Sequence, residues 1–471
     1  MRSNLLVKIF SCRYIVKEKY VQGELPSTEE GYRNTLNIAW PSIVEAVLVS
    51  LVASVDTMMV GGIGPEAIAA VGITNQPRFI VLAMLLSLNV GVTAVVARRK
   101  GEGDIKAANR CLKQSILISL GLSFILSFLG ITFAPQLMKF AGAQPEIINT
   151  SISYFRIIMV GLFFNGICLT INAAQRGIGN TKVSMRTNIA ANIINLIFNY
   201  LLINGIGFFP SLGVVGAGIA TVLGNIVAFL MALKSVYRRK SDGFLNILSN
   251  VSWNFDKKTL GSILNISSSA AAEQVFLRVG FFVYALMVAK LGTTAFATHQ
   301  ICMNITNLSF SVGDGFSIAA SSLVGQNLGK KRPDIAMLYG SISQRIALIC
   351  STVLFFIFIL GRKFLIGLFT NDPIIIAQGA IILIIVAFTT HAQTSQVIIS
   401  GCLRGAGDTK YVALTSLLSI GIIRPFLTWF LCFPVGLGIF GAWIALFIDQ
   451  FMRLFICFMR FIGGKWTKIQ I

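Results

Sequence analysis

Long apolar runs recur along the chain between short polar loops, and their spacing predicts twelve helices, at about 37–62, 73–97, 114–136, 150–173, 186–205, 214–236, 260–289, 298–323, 342–361, 375–401, 412–432 and 440–461. Roughly 20 apolar residues, rising ~1.5 Å each, cross a hydrocarbon core of ~30 Å. Each run is therefore read as a membrane span. The first is the least comfortable in lipid, because PSIVEAVLVSLVASVDTMMVGGIG (41–64) carries two carboxylates, Glu45 and Asp56. An acid at mid-span costs about 2.5–3.5 kcal/mol. Their separation of eleven positions returns, at ~100° per residue, to within ~20° of the same helical face. They either share one polar cavity or reach interfacial water from the helix ends.

The pattern repeats. GGIGPEAIAAVGI (61–73) answers AKLGTTAFATHQI (289–301), VARRKG (96–101) answers VGQNLG (324–329), and QRGIGNTK (175–182) answers LRGAGDTK (403–410), each 228 residues on. LGVVGAGIA (212–220) answers LGIFGAWIA (437–445) at 225. A constant offset over such a length marks two copies of one unit. Each copy has six spans, so both insert in the same orientation, and a pseudo-two-fold axis along the membrane normal is expected to relate them. The expected divisions are a cytoplasmic tail at 1–33, a first lobe at 34–236, a connector at 237–258, a second lobe at 259–462 and a C-terminal tail at 463–471.

Composition sharpens this picture. Of 471 residues, 55% are hydrophobic and 12% charged, against about 25% charged in soluble domains. The formal charge of +21 does not point to nucleic acid, because 31 of the 39 Lys and Arg fall in the tails and alternate loops. That asymmetry places both termini in the cytoplasm. A multi-pass protein of the plasma membrane is expected. Residues 1–33 lack the apolar core and cleavage site of a signal peptide. The eight cysteines are scattered without a C-x-x-C, so neither disulfides nor zinc are implied.

The 228-residue offset also exposes an asymmetry. Glu45 maps onto Glu273, whereas Asp56 maps onto Tyr284. In the fifth run Asn192, Asn195 and Asn199 recur at spacings of three and four, on one stripe; their counterparts are Ile420, Ile423 and Leu427. Amides beside an Asp form a candidate oxygen-ligand site for a cation, a proton-linked network, or plain interhelical hydrogen bonds. Other polar groups at membrane depth are Gln274, Arg278, Asp314, His299, His391 and Gln393. The two histidines are read as packing or network residues. The Gly-rich segments with Arg and Lys lack G-x-x-x-x-G-K-[ST] and read as tight turns rather than phosphate cradles. No H-E-x-x-H or G-x-S-x-G is present, so an enzyme is not expected. No Walker sequence or soluble domain suggests a nucleotide-driven pump.

PSIVEA and VDTMMVGGIG in the first run, AKLGTTAFATHQI, SFSVGDGFSIAASSLVGQNLGKK and the paired RGIGNTK and RGAGDTK turns together resemble the multidrug and toxic-compound extrusion (MATE) transporters, over about residues 33–462. The resemblance implies an all-α membrane protein of two six-helix lobes around a V-shaped cavity. It would expel drug-like amphipathic, often cationic, compounds while H+ or Na+ flows inward. No cofactor beyond that coupling ion, and no partner beyond substrate and bilayer, is implied; a monomer is expected. The family's N-lobe cation site matches Asp56, Asn195, Asn199 and Thr221. One branch of the family carries a Glu in the seventh helix and an Asp in the tenth, where this chain has Leu277 and Gln393. The substrate cavity is expected to involve Glu45, Glu273, Gln274, Arg278, Tyr284 and Gln393. A related activity, flipping of a lipid-linked precursor, is less well matched by the motifs. One carboxylate can be neutralised by either ion, but Asn199 stands where another branch of the family has an Asp, which weakens the field for a metal ion, so H+ is preferred to Na+.

Overall fold

The computed structural model describes residues 10–16, 21–207, 209–237 and 244–471, and regular structure among them is helical throughout. The six long helices of the first copy are α1 (Thr28–Gly61), α2 (Pro65–Gly101), α3 (Ile105–Thr132), α4 (Pro145–Gly177), α5 (Thr181–Asn204) and α6 (Gly213–Val236). Those of the second are α7 (Lys257–Ala289), α8 (Thr293–Gly329), α9 (Pro333–Gly367), α10 (Pro373–Ala406), α11 (Thr409–Cys432) and α12 (Gly438–Ile462). All twelve expected elements are present among the described residues. Most start earlier than the apolar runs do, because helix ends follow caps rather than the edge of the apolar stretch. Asp104 accepts from Ala107 N, Asp372 accepts from Ile374 N, and prolines open α2, α4, α9 and α10, where a missing N–H costs nothing.

Ten of these helices are long and apolar enough to span a bilayer; α5 and α8 fall outside that set. In α5 the reason is its run of Asn188, Asn192, Asn195 and Asn199. Phe124, Phe128, Leu360 and Phe364 are strongly exposed on their helices, as lipid-facing side chains are and as few surfaces of soluble proteins are. The protein is a multi-pass membrane protein.

The sequence repeat is a repeat of helix ends. Pro65–Gly101 and Thr293–Gly329 match at both termini with the 228-residue offset, and so do Thr181–Asn204 and Thr409–Cys432. The close approaches repeat as well. A Cβ on Gly177 of α4 would meet the Thr93 carbonyl oxygen of α2 at 2.8 Å, and one on the equivalent Gly405 of α10 would meet that of Ser321 in α8 at 2.2 Å. Only glycine lets the helix backbones cross so closely. The QRGIGNTK and LRGAGDTK segments are helix-ending turns, with Gly179 at φ 85° and Gly407 at φ 90°.

One helix departs from its counterpart. Residues Leu417–Ile423 of α11 form a π-helical stretch just before Arg424 and Pro425. A proline ring clashes with the carbonyl four residues back and supplies no N–H, and a widened turn absorbs the mismatch. The first copy has Ile197 in that place and runs as regular α-helix.

The chain packs as two compact units, Val44–Ser267 and Met1–Ile43 with Ser268–Ile471, here called the first and second unit. Their boundaries fall inside α1 and α7, whereas the sequence suggested lobes divided in loops. Phe155, Met159, Leu162 and Leu85 centre the first unit's core; Tyr284, Phe358 and Trp443 lie in that of the second. Part of the expected connector, 238–243, and residues 1–9 and 17–20 of the tail lie outside the described residues. The described connector is strapped to α3, where Lys113 Nζ donates to the carbonyls of Ser249 (2.7 Å) and Val251 (2.8 Å). In the second unit Arg332 pairs with Asp334 and donates to the Glu24 carbonyl, tying the tail to the turn between α8 and α9.

Candidate functional site

In the first unit α5 and α6 pack with little side-chain volume between them. A Cβ on Gly224 would sit 2.6 Å from the Ala191 carbonyl, and one on Gly216 2.7 Å from that of Leu202. This brings the amide stripe of α5 against Thr221 of α6, and α1 presents Asp56 to the same place. Asn199 Nδ2 donates to Asp56 Oδ1 at 2.7 Å. With its amide turned to satisfy both neighbours, Asn195 donates to the two Asp56 oxygens at 2.8 and 3.2 Å and accepts from Thr221 Oγ1 at 3.2 Å. The Thr221 hydroxyl has one proton to give, and the Ala217 carbonyl, 3.0 Å away, is its alternative acceptor. Asn195 and Asn199 are buried, at 6% and 1% exposure.

These four residues line a cavity of about 470 Å³ together with Arg78, Tyr154, Asn192 and Asn225 and the apolar Val49, Val52, Phe79 and Leu82. Asn199 Oδ1 and Asn192 Nδ2 are buried there without a partner among the described residues. Arg78 is close enough to act on Asp56 through its charge, although no ion pair joins them among the described residues. A lone carboxylate held by amide donors, open on an apolar-walled cavity, can exchange a proton or a small cation with whatever fills the space. Arg78 and Tyr154 were not singled out from sequence. Arg78 was visible as a charge one residue after Pro77 within the second apolar run, but nothing in the sequence placed it beside α1.

The duplicated acids are placed differently from Asp56. Glu45 accepts from Ser184 Oγ (2.9 Å) and Asn188 Nδ2 (2.6 Å), and Arg176 Nη1 lies 4.0 Å away. Glu273 is buried and paired twice with Arg404, through Nη2 at 2.6 Å and Nε at 3.3 Å. Arg176 and Arg404 are themselves 228 residues apart. Each Glu is thus clamped by the Arg of its own copy's helix-ending turn, a role the sequence did not suggest for those turns.

The remaining expected cavity residues are not gathered into one place. Gln274 is half-buried and Arg278 exposed on α7. Gln393 is fully buried on α10, with neither amide atom hydrogen-bonded. Tyr284, expected at a cavity wall, is a core side chain of 1% exposure whose hydroxyl donates to the Ala442 carbonyl at 3.1 Å. Its ring faces the guanidinium of Arg424, which is paired with Asp449 of α12. This wholly buried pair also escaped the sequence reading, because mapping the first copy's polar residues onto the second cannot reveal acids that only the second possesses. His299 packs between Tyr284 and Trp443, and His391 Nε2 lies 3.1 Å from Thr352 Oγ1.

Comparison with known proteins decides the family. The MatE family model matches the chain twice, at residues 41–201 and 270–430, once in each copy. The chain belongs to the MatE family. Its members are transporters rather than enzymes, and none needs a cofactor. Among relatives, a probable multidrug resistance protein NorM of Thermotoga maritima is 27% identical over 97% of each chain. The multidrug resistance protein PmpM of Pseudomonas aeruginosa is 25% identical over 86% of this chain and 83% of its own. A MOP superfamily transporter from Pyrococcus furiosus has the same fold, with a TM-score of 0.87 at 20% identity over 93% of this chain and 97% of its own. An outward-facing MATE transporter structure gives 0.86 at 21% identity, over 92% and 97%.

Proposed function

We propose that this MatE protein is a secondary antiporter that exports amphipathic, often cationic, organic compounds from the cytoplasm in exchange for a cation, by alternating access of its two six-helix copies. The observation that carries the reading is Asp56, a buried-face carboxylate held by Asn195 and Asn199 beside Thr221 on a partly apolar cavity. Relatives named as multidrug resistance proteins support the substrate class. We take Asp56 as the cation-binding group and H+ as the coupling ion in preference to Na+. Asn199 offers an amide nitrogen to the carboxylate and Asp56 is the one acid among the residues that line the cavity, which weakens the field for Na+ while leaving a carboxylate able to take a proton. Substrate would be held by the apolar cavity wall, with Glu45 and Glu273 as outlying acids. The working protein is taken as a monomer in the plasma membrane with both termini cytoplasmic.

The test is dye efflux from proteoliposomes under an imposed proton gradient, and separately under a Na+ gradient at equal pH with an uncoupler present. Proton-driven efflux that disappears in Asp56→Asn supports the reading. Uphill efflux driven by Na+ alone overturns the choice of ion, and gradient-driven efflux by Asp56→Asn overturns the site.

A further inference from the structure

The second copy buries an acid–guanidinium pair of its own, built from residues that the first copy lacks. Asp449 on α12 and Arg424 on α11 are both 0% exposed. Arg424 Nε donates to Asp449 Oδ2 at 3.0 Å, Nη2 donates to the same oxygen, and Ser419 Oγ donates to Oδ1. Two aromatic faces close the guanidinium in, Phe281 at 4.7 Å and Tyr284 at 5.8 Å. A carboxylate with aromatic faces is a cation-binding surrounding, and here the cation is covalently part of the chain.

Position makes the comparison informative. With the 228-residue offset Arg424 follows Ile423, the counterpart of Asn195, and Tyr284 is the counterpart of Asp56. Asp449 lies one helical turn beyond Leu446, which the 225-residue offset matches to Thr221. The guanidinium thus lies over the counterpart of Asp56 and belongs to the residue that follows the counterpart of Asn195. Arg453 Nε, Gln450 Nε2 and Arg424 Nη1 are buried nearby without partners among the described residues. Unpaired donors beside the pair repel a further cation.

We propose that Arg424 is a tethered cation that occupies the second unit's counterpart of the Asp56 site, so that this unit binds no mobile coupling ion and the Val44–Ser267 unit alone carries coupling. The proposal rests on the reading of Asp56 given above. It implies that removing the guanidinium leaves at Asp449 a site for a free organic cation of guanidinium shape.

The experiment titrates guanidinium chloride, at millimolar concentrations well below denaturing ones, into full-length Arg424→Ala in nanodiscs. Unfolding is followed by tryptophan fluorescence. A saturable rise in Tm is expected for Arg424→Ala, absent in wild type and in Arg424→Ala/Asp449→Asn; tetramethylammonium, which cannot donate hydrogen bonds, should give none. Where Arg424→Ala does not fold, Arg424→Gln, which keeps most of the side-chain length, is read in the same way. No saturable rise in either variant, or a rise that survives Asp449→Asn, overturns the proposal, since a merely structural pair predicts no such selective rescue. Coupling is read separately: Asp449→Asn in liposomes should keep the wild-type ratio of cations to substrate, and a ratio halved by that change overturns it. Retention of driven efflux by Asp56→Asn would sink the functional reading while leaving the guanidinium titration to stand or fall alone.

Discussion

The α5–α6 face of the first unit and the α11–α12 face of the second descend from one sequence pattern, yet they solve the problem of buried charge in opposite ways. In the first, Asp56 is held by amide donors, has no ion-pair partner among the described residues, and opens on a cavity that Arg78 also lines. In the second, Asp449 is neutralised by a guanidinium, sealed by aromatic rings, and has no exposure. A buried acid without a partner is expensive and persists where it is used. A buried acid with a partner is already compensated and has less reason to exchange ions. The same backbone repeat therefore carries one acid open on a cavity and one paired and sealed from it.

The largest expected effect separates the two aromatic-or-acid counterparts. Asp56→Asn should reduce gradient-driven efflux to the level of protein-free liposomes while thermal stability barely falls, because the amide keeps the shape and removes a buried charge. Tyr284→Phe, at the matching position, should keep coupled efflux. Loss of coupling in Tyr284→Phe would erase the distinction.

Next is stability. Breaking the locked pair by Asp449→Asn should cost about 3–5 kcal/mol, because it strands a buried guanidinium, whereas the double change Arg424→Met/Asp449→Leu should recover most of that. Chemical or thermal unfolding in detergent measures both. A cost below that of Asp56→Asn would show that the second site is not locked.

The helix crossings offer a smaller contrast within one shared feature. Gly405→Ala should destabilise more than Gly177→Ala, since its Cβ would come to 2.2 Å of a carbonyl oxygen rather than 2.8 Å; overpacking of this kind costs roughly 1–3 kcal/mol. Equal unfolding midpoints for the two variants would mean that the crossings relax alike.

The smallest effects are expected at the duplicated acids. Glu273→Gln removes the charge partner of Arg404 at 2.6 Å and should cost about 2 kcal/mol. Glu45→Gln keeps its Ser184 hydrogen bond, has its Arg at 4.0 Å, and should cost about 0.5 kcal/mol. If these acids attract cationic substrates, the Glu45 change should raise the KM for cationic dyes and leave neutral ones unchanged. An equal rise for both dye classes would assign Glu45 to packing.

Some of this was written in one dimension. Span length and apolar composition produced all twelve helices, and a constant offset between motifs anticipated helix ends that coincide to the residue in α2 and α8. The asymmetry at Asp56 and the Asn195–Asn199 stripe followed from the same alignment of the chain with itself, because helical periodicity assigns faces from spacing alone. Which faces meet is a different matter. The hydrogen bonds from Asn199 and Asn195 to Asp56 join α5 to α1, and Thr221 meets Asn195 because glycine lets α6 approach α5 closely. The clamps on Glu45 and Glu273 come from helices more than 130 residues away in sequence. The Arg424–Asp449 pair arises where Pro425 widens a turn of α11 and sets that guanidinium against α12. Periodicity is a property of one helix, but a site's charge balance belongs to the contact between several, and only the packed structure decides those contacts.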